Sequence, residues 1–441
     1  MPDSMMLNHD MEGLIGSREP DNISGELIRR AGARLGLSRE AIGELIKPQN
    51  IYAFRLPVLL YGRVVNIWGC VVLHNNARGP YKGGVRLAPD VDIWETTELA
   101  RLMTLKTAVT DIEFGGGKTG IRLDMSRLYK IYGRTPRDPE FETNVKRNVL
   151  RDFGLEFKDI FTRHIYIPAP DMGTGPLEMT QIYNATMDPA SVTGKPQGIQ
   201  GWLPGRKEST GYGVAASTLK AIDILGLDPK SVKVAIQGFG NVGSHTAMFL
   251  HEKGIKIVGI TDINGGVYNK DGLDIEKLLE YAEKTMTVAG FDGGVPLTNE
   301  ELFSLDVDIL IPAATGHVIN KDTAPIIKAK AVVGAANMPV TPDGMEILES
   351  KGIMFFPDII ANAGGVIASQ LEYSGSLSAR QRTKERVLEI VGEKIEDAFE
   401  RTVEIARQEK VNLTEAAIQL AVMRVHDAMM QRGWVSTTTI A

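Results

Sequence analysis

Apolar residues recur along this chain with two different periods, and the switch between them outlines its elements. Over residues 24–45, Leu27, Ile28, Ala31, Leu35 and Ile42 fall at helical spacing, and Pro48 closes the segment, so an opening helix is expected. Two short apolar runs, 51–60 and 64–73, flank Tyr61-Gly62-Arg63 and predict an antiparallel strand pair. Residues 75–84 are rich in Gly, Pro and Asn and read as a loop. Over 93–109 a helix is expected, with Leu99, Leu102, Met103 and Lys106 on one face, which sets Lys106 beside a buried stripe. Gly115-Gly116-Gly117 then breaks the pattern ahead of Lys118. Farther on, Ile167-Pro168-Ala169-Pro170-Asp171-Met172-Gly173 reads as a turn-rich loop following a strand.

Residues 194–205, dense in Gly, Pro and Lys, read as a linker between domains. Beyond them, a helical stretch at 210–225 is followed by apolar runs at 233–237, 256–260, 307–311, 331–334 and 352–356, separated by helical patterns. Such alternation predicts a parallel sheet covered by helices. From 364 to 432 the chain reads as long helices.

The 233–237 run leads directly into Gly238-Phe239-Gly240-Asn241-Val242-Gly243 and a helix, and Asp262 ends the next strand. That order fits a dinucleotide site. The first glycine permits a tight turn, the second admits the pyrophosphate to the backbone, and the third lets the helix pack closely, its N-terminus favouring anions. Asp262 would bind the adenosine ribose hydroxyls and repel a 2′-phosphate. NAD is therefore expected over NADP, which stays possible.

Composition narrows the classes. With 441 residues, 43% of them hydrophobic, the chain exceeds one ordinary core, and its formal charge of -6 offers no basic surplus for nucleic acid. No apolar run is long enough to span a bilayer, and residues 1–22 lack the basic-then-apolar order of a leader and read as a loose tail. Cys70 is the single cysteine, within an apolar run, which excludes an intrachain disulfide framework and fits a reduced, cytoplasmic setting. The histidines form no metal-ligand spacing, so no metal is expected.

Three lysines stand beside glycines: Lys82 in Gly79-Pro80-Tyr81-Lys82-Gly83-Gly84, Lys106, and Lys118 after Gly115-Gly116-Gly117. Cations in such positions suit a dianionic amino acid, because glycine lets the chain pass close while ammonium groups clamp carboxylates. In this order, and with Pro168-Ala169-Pro170-Asp171, Thr210-Gly211-Tyr212-Gly213, Ala336-Asn337-Met338-Pro339 and Ala361-Asn362-Ala363-Gly364-Gly365, the motifs resemble the glutamate/leucine/phenylalanine/valine dehydrogenase family from about residue 25 onward.

The resemblance implies an NAD(P)-dependent enzyme acting on the CH-NH2 group of L-glutamate, giving 2-oxoglutarate and ammonia reversibly. It assigns Lys118 and Asp171 to catalysis, Lys106 to the substrate α-carboxylate, and Lys82 with Ser369 to the side-chain carboxylate. It adds Thr210, Asn241, Asn337 and Asn362 to the cofactor site. The expected architecture is α/β in two domains: a substrate domain over 25–200 and a Rossmann-type domain over 201–365, with C-terminal helices over 366–441 returning to the first. A homohexamer is also implied. Thr119 departs from the family's glycine, and its β-branched side chain is expected to crowd Lys118. Two alternatives stay open at this point: a dehydrogenase for another amino acid, and a catalytically weak regulatory subunit of the same fold.

Overall fold

The expected hairpin forms as β1 (Asn50–Leu60) and β2 (Arg63–Asn75) in the computed structural model, which describes Leu14 and residues 23–436. The tail expected over 1–22 thus lies, apart from Leu14, outside the described residues. Leu60 sits opposite Arg63, with Tyr61 at φ 47° and Gly62 at φ 79°, so both turn residues are left-handed and match the twist of the strands. The opening helix is two helices, Ile23–Arg34 and Arg39–Ile46, because Gly36 turns left-handed at φ 68° and Ser38 caps the second by accepting from Ala41 N.

Three segments expected as loops or breaks hold strand residues, 167–170 of the expected 167–173 loop among them. Residues 81–84 belong to β3 (Tyr81–Ala88), and the three glycines begin β4 (Gly115–Arg122). Glycine is used there for close approach: a Cβ at Gly116 would overlap Thr104 of α1 (Ile93–Val109), the helix lying on that face. The predicted strand before residue 166 is a short helix, Lys158–Thr162, and the strand is β5 (Tyr166–Pro170) itself. Pro168 and Pro170 are tolerated because β5 is an edge, in the order β1-β2-β4-β3-β5. The pairs β3/β4 and β3/β5 are parallel, the others antiparallel.

On the face away from α1, Val71, Leu73, Tyr81, Val85, Ile121 and Tyr166 form a continuous core with Phe141, Val149 and Phe153 of α2 (Pro139–Glu156) and Met179 and Ile182 of α3 (Pro176–Thr186). Each such side chain contributes roughly 1.5–3 kcal/mol by leaving water. On the α1 side the contact residues are small, Ala100, Thr104 and Ala108, since the glycines opposite leave no depth. The stripe expected to be buried, Leu99, Leu102, Met103 and Lys106, is instead half-buried, because α1 turns its small residues inward.

The chain divides into two units at Gly205, so residues 194–204, read as a linker, are packed into the first unit. The second holds α4 (Ser209–Ile224), β6 (Lys233–Gln237), α5 (Asn241–Glu252), β7 (Lys256–Asp262), β8 (Gly265–Tyr268), β9 (Val295–Leu297), β10 (Ile309–Pro312), β11 (Ala331–Val333) and β12 (Met354–Phe356). Their sheet order is β12-β11-β10-β6-β7-β8-β9. All pairs from β12 to β7 are parallel, and β8 and β9 add an antiparallel edge. The C-terminal segment, α6 (Gly364–Ser378), α7 (Lys384–Glu409) and α8 (Leu413–Gln431), is shared: Ser369–Arg382 and the residues from Ala421 belong to the first unit, while Thr383–Leu420 belongs to the second. The division has a packing cause, since α7 lies along α4 within the second unit.

Candidate active site

The register of the first sheet decides which side chains meet. Lys82 is opposite Gly116 and Ile167, and Val85 is opposite Thr119 and Pro170. Paired residues share a face and successive ones alternate, so Lys82, Gly84, Arg86, Gly116 and Lys118 lie on the face that α1 covers. Lys106, read as a third cation of the site, is half-buried on α1 two residues beyond the Thr104 that contacts Gly116, and so leaves the helix on a different side from Thr104. Lys82 is 1% exposed, and its Nζ donates to the Ile167 carbonyl at 3.2 Å.

Lys118 Nζ donates to Asp171 Oδ2 in an ion pair whose side chains are 8% and 17% exposed. Asp171 follows β5, where its backbone N–H donates to Thr174 Oγ1 at 2.9 Å and its Oδ1 accepts from Met172 N at 2.7 Å. Gly84 makes room for it, since a Cβ there would overlap the carboxylate. Burial pushes the Asp171 carboxyl up, but the Lys118 charge and hydrogen bond, the Met172 N–H and the Arg86 charge outweigh it and hold it below the ordinary carboxylate range.

Thr119 points to the opposite face. Its Oγ1 donates to Tyr166 Oη at 3.1 Å, and Tyr166 Oη donates to the Gly83 carbonyl at 3.2 Å. The crowding of Lys118 expected from this residue is absent, because strand alternation sends the two side chains apart and Thr119 has an ordinary negative φ.

Ser369 is buried on α6, in the part that belongs to the first unit. One turn on, Glu372 anchors the helix: it accepts from Gly194 N at 2.8 Å and Lys195 N at 3.2 Å, and pairs with Lys195 Nζ at 2.7 Å, both side chains 0% exposed. Thr193 N donates to the Pro168 carbonyl, which ties the same segment to β5.

The nucleotide candidates gather at the carboxyl ends of the parallel strands, where open α/β sheets bind ligands. Gly238 has φ +95°, and a Cβ there would press on Ala313 and Ala314 after β10. Gly240 is the N-cap of α5 without a side-chain cap, and a Cβ on it would meet nothing within 4 Å, which leaves open space at an anion-favouring helix end. Val242 and Gly243 follow in the first turn, Gly243 buried beneath Gly238. Asn241 Nδ2 donates to the Lys207 carbonyl at 3.1 Å. Asn362 Nδ2 donates to Asn337 Oδ1 at 3.1 Å and to the Ala335 carbonyl at 3.2 Å, and Thr210 stands against Gly365.

Asp262, at the end of β7, is clamped. Its Oδ2 accepts from Thr287 Oγ1 and Val288 N, each at 2.7 Å, and its Oδ1 accepts from Asn264 N at 2.7 Å. The fit to a dinucleotide thus rests on the open, uncapped α5 terminus with an oriented acid beside it.

Arg86, Glu95 and Thr287 were not foreseen from the sequence. Reading 81–88 as a strand would have exposed Arg86, because Lys82, Gly84 and Arg86 are spaced by two. Burial pushes the Cys70 thiol up to about 12, so it is a packing residue. Among the described residues no helix is long and apolar enough to cross a membrane.

Comparison with known proteins bears on the same regions. A family model described as Glu/Leu/Phe/Val dehydrogenase, dimerisation domain, matches residues 48–188, and one described as Glutamate/Leucine/Phenylalanine/Valine dehydrogenase matches 201–433. The chain is 39% identical over 416 residues to a glutamate dehydrogenase of Thermotoga maritima, spanning 92% of this chain and 97% of that one. It is 37% identical over 413 residues to an NADP-specific glutamate dehydrogenase of Saccharolobus shibatae, spanning 92% and 94%. Among solved structures, a hetero-hexameric glutamate dehydrogenase from Thermus thermophilus aligns with a TM-score of 0.84 at 30% identity, covering 96% of this chain and 99% of that one.

Proposed function

The chain belongs to the glutamate/leucine/phenylalanine/valine dehydrogenase family, and from that premise we propose how its residues divide the work. The reaction is the reversible oxidative deamination of L-glutamate to 2-oxoglutarate and ammonia, with hydride transfer to NAD(P). Neither a different amino acid nor a catalytically weak subunit is favoured by relatives of this identity.

The observation that carries the assignment is Lys82. Its ammonium is 1% exposed, donates to the Ile167 carbonyl, and shares a sheet face with the Lys118–Asp171 pair, where a carboxylate entering the site would gain a charge-assisted hydrogen bond. Lys82 would therefore receive the substrate's side-chain carboxylate, supported by Ser369, and Lys106 the α-carboxylate. Gly238, Gly240, Asn241, Val242 and Gly243 would hold the pyrophosphate, Asp262 the adenosine ribose, and Thr210, Asn337 and Asn362 the remainder of the dinucleotide. Bound there, the nicotinamide supplies the acceptor for the α-carbon hydride.

Loss of that hydride and an amine proton leaves an imine of the substrate. Lys118 faces the reacting carbon and the water that adds to it, and Asp171 accepts and returns protons until ammonia leaves and the 2-oxo acid remains. NAD is the cofactor expected from the clamped Asp262, with NADP possible. The division into a substrate domain over 25–200 and a Rossmann-type domain over 201–365 belongs to the same proposal, as does a homohexamer, for which the hetero-hexameric relative supports the count of six subunits and not their identity. So does a cytoplasmic setting, supported by a lone buried cysteine.

The test is nicotinamide reduction measured with NAD and with NADP over a panel of amino acids. Turnover of glutamate above leucine, valine and phenylalanine is the expected result. A preference for an apolar amino acid would remove the assignment of Lys82.

A further inference from the structure

Arg86 is a second cation against Asp171. Its side chain is 18% exposed, and its Nε is buried without a hydrogen-bond partner, 4.0 Å from Asp171 Oδ1. A buried donor left unsatisfied costs roughly 1–3 kcal/mol, so its retention beside a carboxylate asks for an explanation. The other end of the guanidinium is fixed, because NH1 is ion-paired to Glu95 in the first turn of α1. The groups facing Asp171 are Lys118 from β4 and Arg86 from β3 with Glu95 of α1 behind it; on its own segment the Met172 N–H donates to Oδ1, while Tyr166 of β5 lies on the other face of the sheet and only feels the Asp171 charge across it.

In the reaction these two cations differ. Lys118 must turn toward the substrate, and when it does Asp171 loses the partner on Oδ2. Arg86 has no such duty, and a guanidinium stays charged at any working pH.

We propose that Arg86 is a positioning residue whose Nε–H takes hold of Asp171 when Lys118 leaves it for the substrate, so that the carboxylate stays aimed while protons move. This rests on Asp171 being the proton-transfer group. Arg86 is assigned no contact with substrate, whose binding falls to Lys82, Lys106 and Ser369.

The experiment is the pH dependence of glutamate oxidation by the full-length wild-type enzyme and the variants Arg86→Gln, Arg86→Lys, Glu95→Gln and Asp171→Asn. Arg86→Gln should lower kcat on the order of tenfold, leave the glutamate KM within about twofold, and move the acid limb of the kcat profile to higher pH. Arg86→Lys should bring the limb back toward its original position. Glu95→Gln removes the anion that partly neutralises Arg86, so it should move the limb the other way, to lower pH. That variant decides the matter even where Arg86→Gln does not fold. An unmoved limb in both Arg86→Gln and Glu95→Gln, or a rise in KM alone, overturns the proposal. Asp171→Asn separates the levels: near-normal activity there would remove the proton-transfer reading, whereas an inactive Asp171→Asn beside an unmoved limb removes only the part given to Arg86.

Discussion

Lys118 and Thr119 are neighbours on one strand, yet their side chains leave the sheet on opposite faces, Lys118 toward Asp171 and Thr119 toward Tyr166. The departure from the family's glycine therefore acts on the architecture behind the site. Thr119 Oγ1 and the Gly83 carbonyl both engage Tyr166 Oη, in a core where burial pushes the phenol above its ordinary range.

Thr119→Val keeps the shape and removes that hydroxyl. Stability should fall by about 1 kcal/mol, with glutamate turnover within about twofold, because Tyr166 keeps its carbonyl acceptor. Thermal unfolding and initial rates measured on one preparation check this. A hundredfold loss of turnover would mean that Thr119 reaches the reacting groups after all.

Lys82→Met should separate function from stability. Removing one partner of a buried charge contact costs roughly 2–5 kcal/mol in binding, so kcat/KM for glutamate should drop by at least about thirtyfold. The same change removes a buried ammonium together with its hydrogen bond to the Ile167 carbonyl, two effects of opposite sign, so the melting temperature should move little. Near-normal kcat/KM would remove Lys82 from the substrate site.

His74 makes stability depend on pH. It is fully buried, with Nδ1 2.7 Å from Thr104 Oγ1, and burial, then the Arg101 charge, push its imidazole down to about 3 from 6.5. As pH falls through 6.5 the unfolded chain gains a proton that the folded protein refuses until about 3. Stability should therefore decline through that window, by up to about 1.4 kcal/mol per pH unit, with no change due to His74 above it. Denaturant midpoints against pH for the protein and for His74→Gln measure the slope, which should be shallower in the variant.

Lys195 and Glu372 form a fully buried pair that holds α6 to the 193–195 segment. Lys195→Met leaves a buried carboxylate without its cation and should cost about 3–5 kcal/mol, whereas adding Glu372→Gln should recover part of the loss. Urea unfolding of the single and double variants tests the coupling, and additive losses would contradict it.

Much of the fold was legible in the sequence, and the errors at the glycines of the candidate site share one cause. The Gly238–Gly243 turn, the α1 span and the apolar runs of the second sheet were readable because propensity and burial agree there. At 81–84 and 115–118 they disagree: glycine composition reads as loop, but these glycines are strand residues pressed beneath Thr104 and Asp171. Composition carries no record of what lies across a strand. For the same reason the motifs singled out Lys118 and Asp171 but not Arg86, whose place beside Asp171 follows from register alone. The small-residue face of α1 was likewise misread, because the larger Leu99 and Leu102 suggested a different inward side.

Arg424 of α8 donates to the carbonyls of Ala108 and Val109 at 3.0 and 2.8 Å, occupying acceptors that the end of α1 leaves open. The helix that carries Lys106 is therefore finished by a residue 316 positions farther along the chain. A nascent chain that has passed residue 400 already holds all three lysines and the glycine turn, but it still lacks Arg424, so the order of synthesis sets the earliest moment at which α1 can receive this cap.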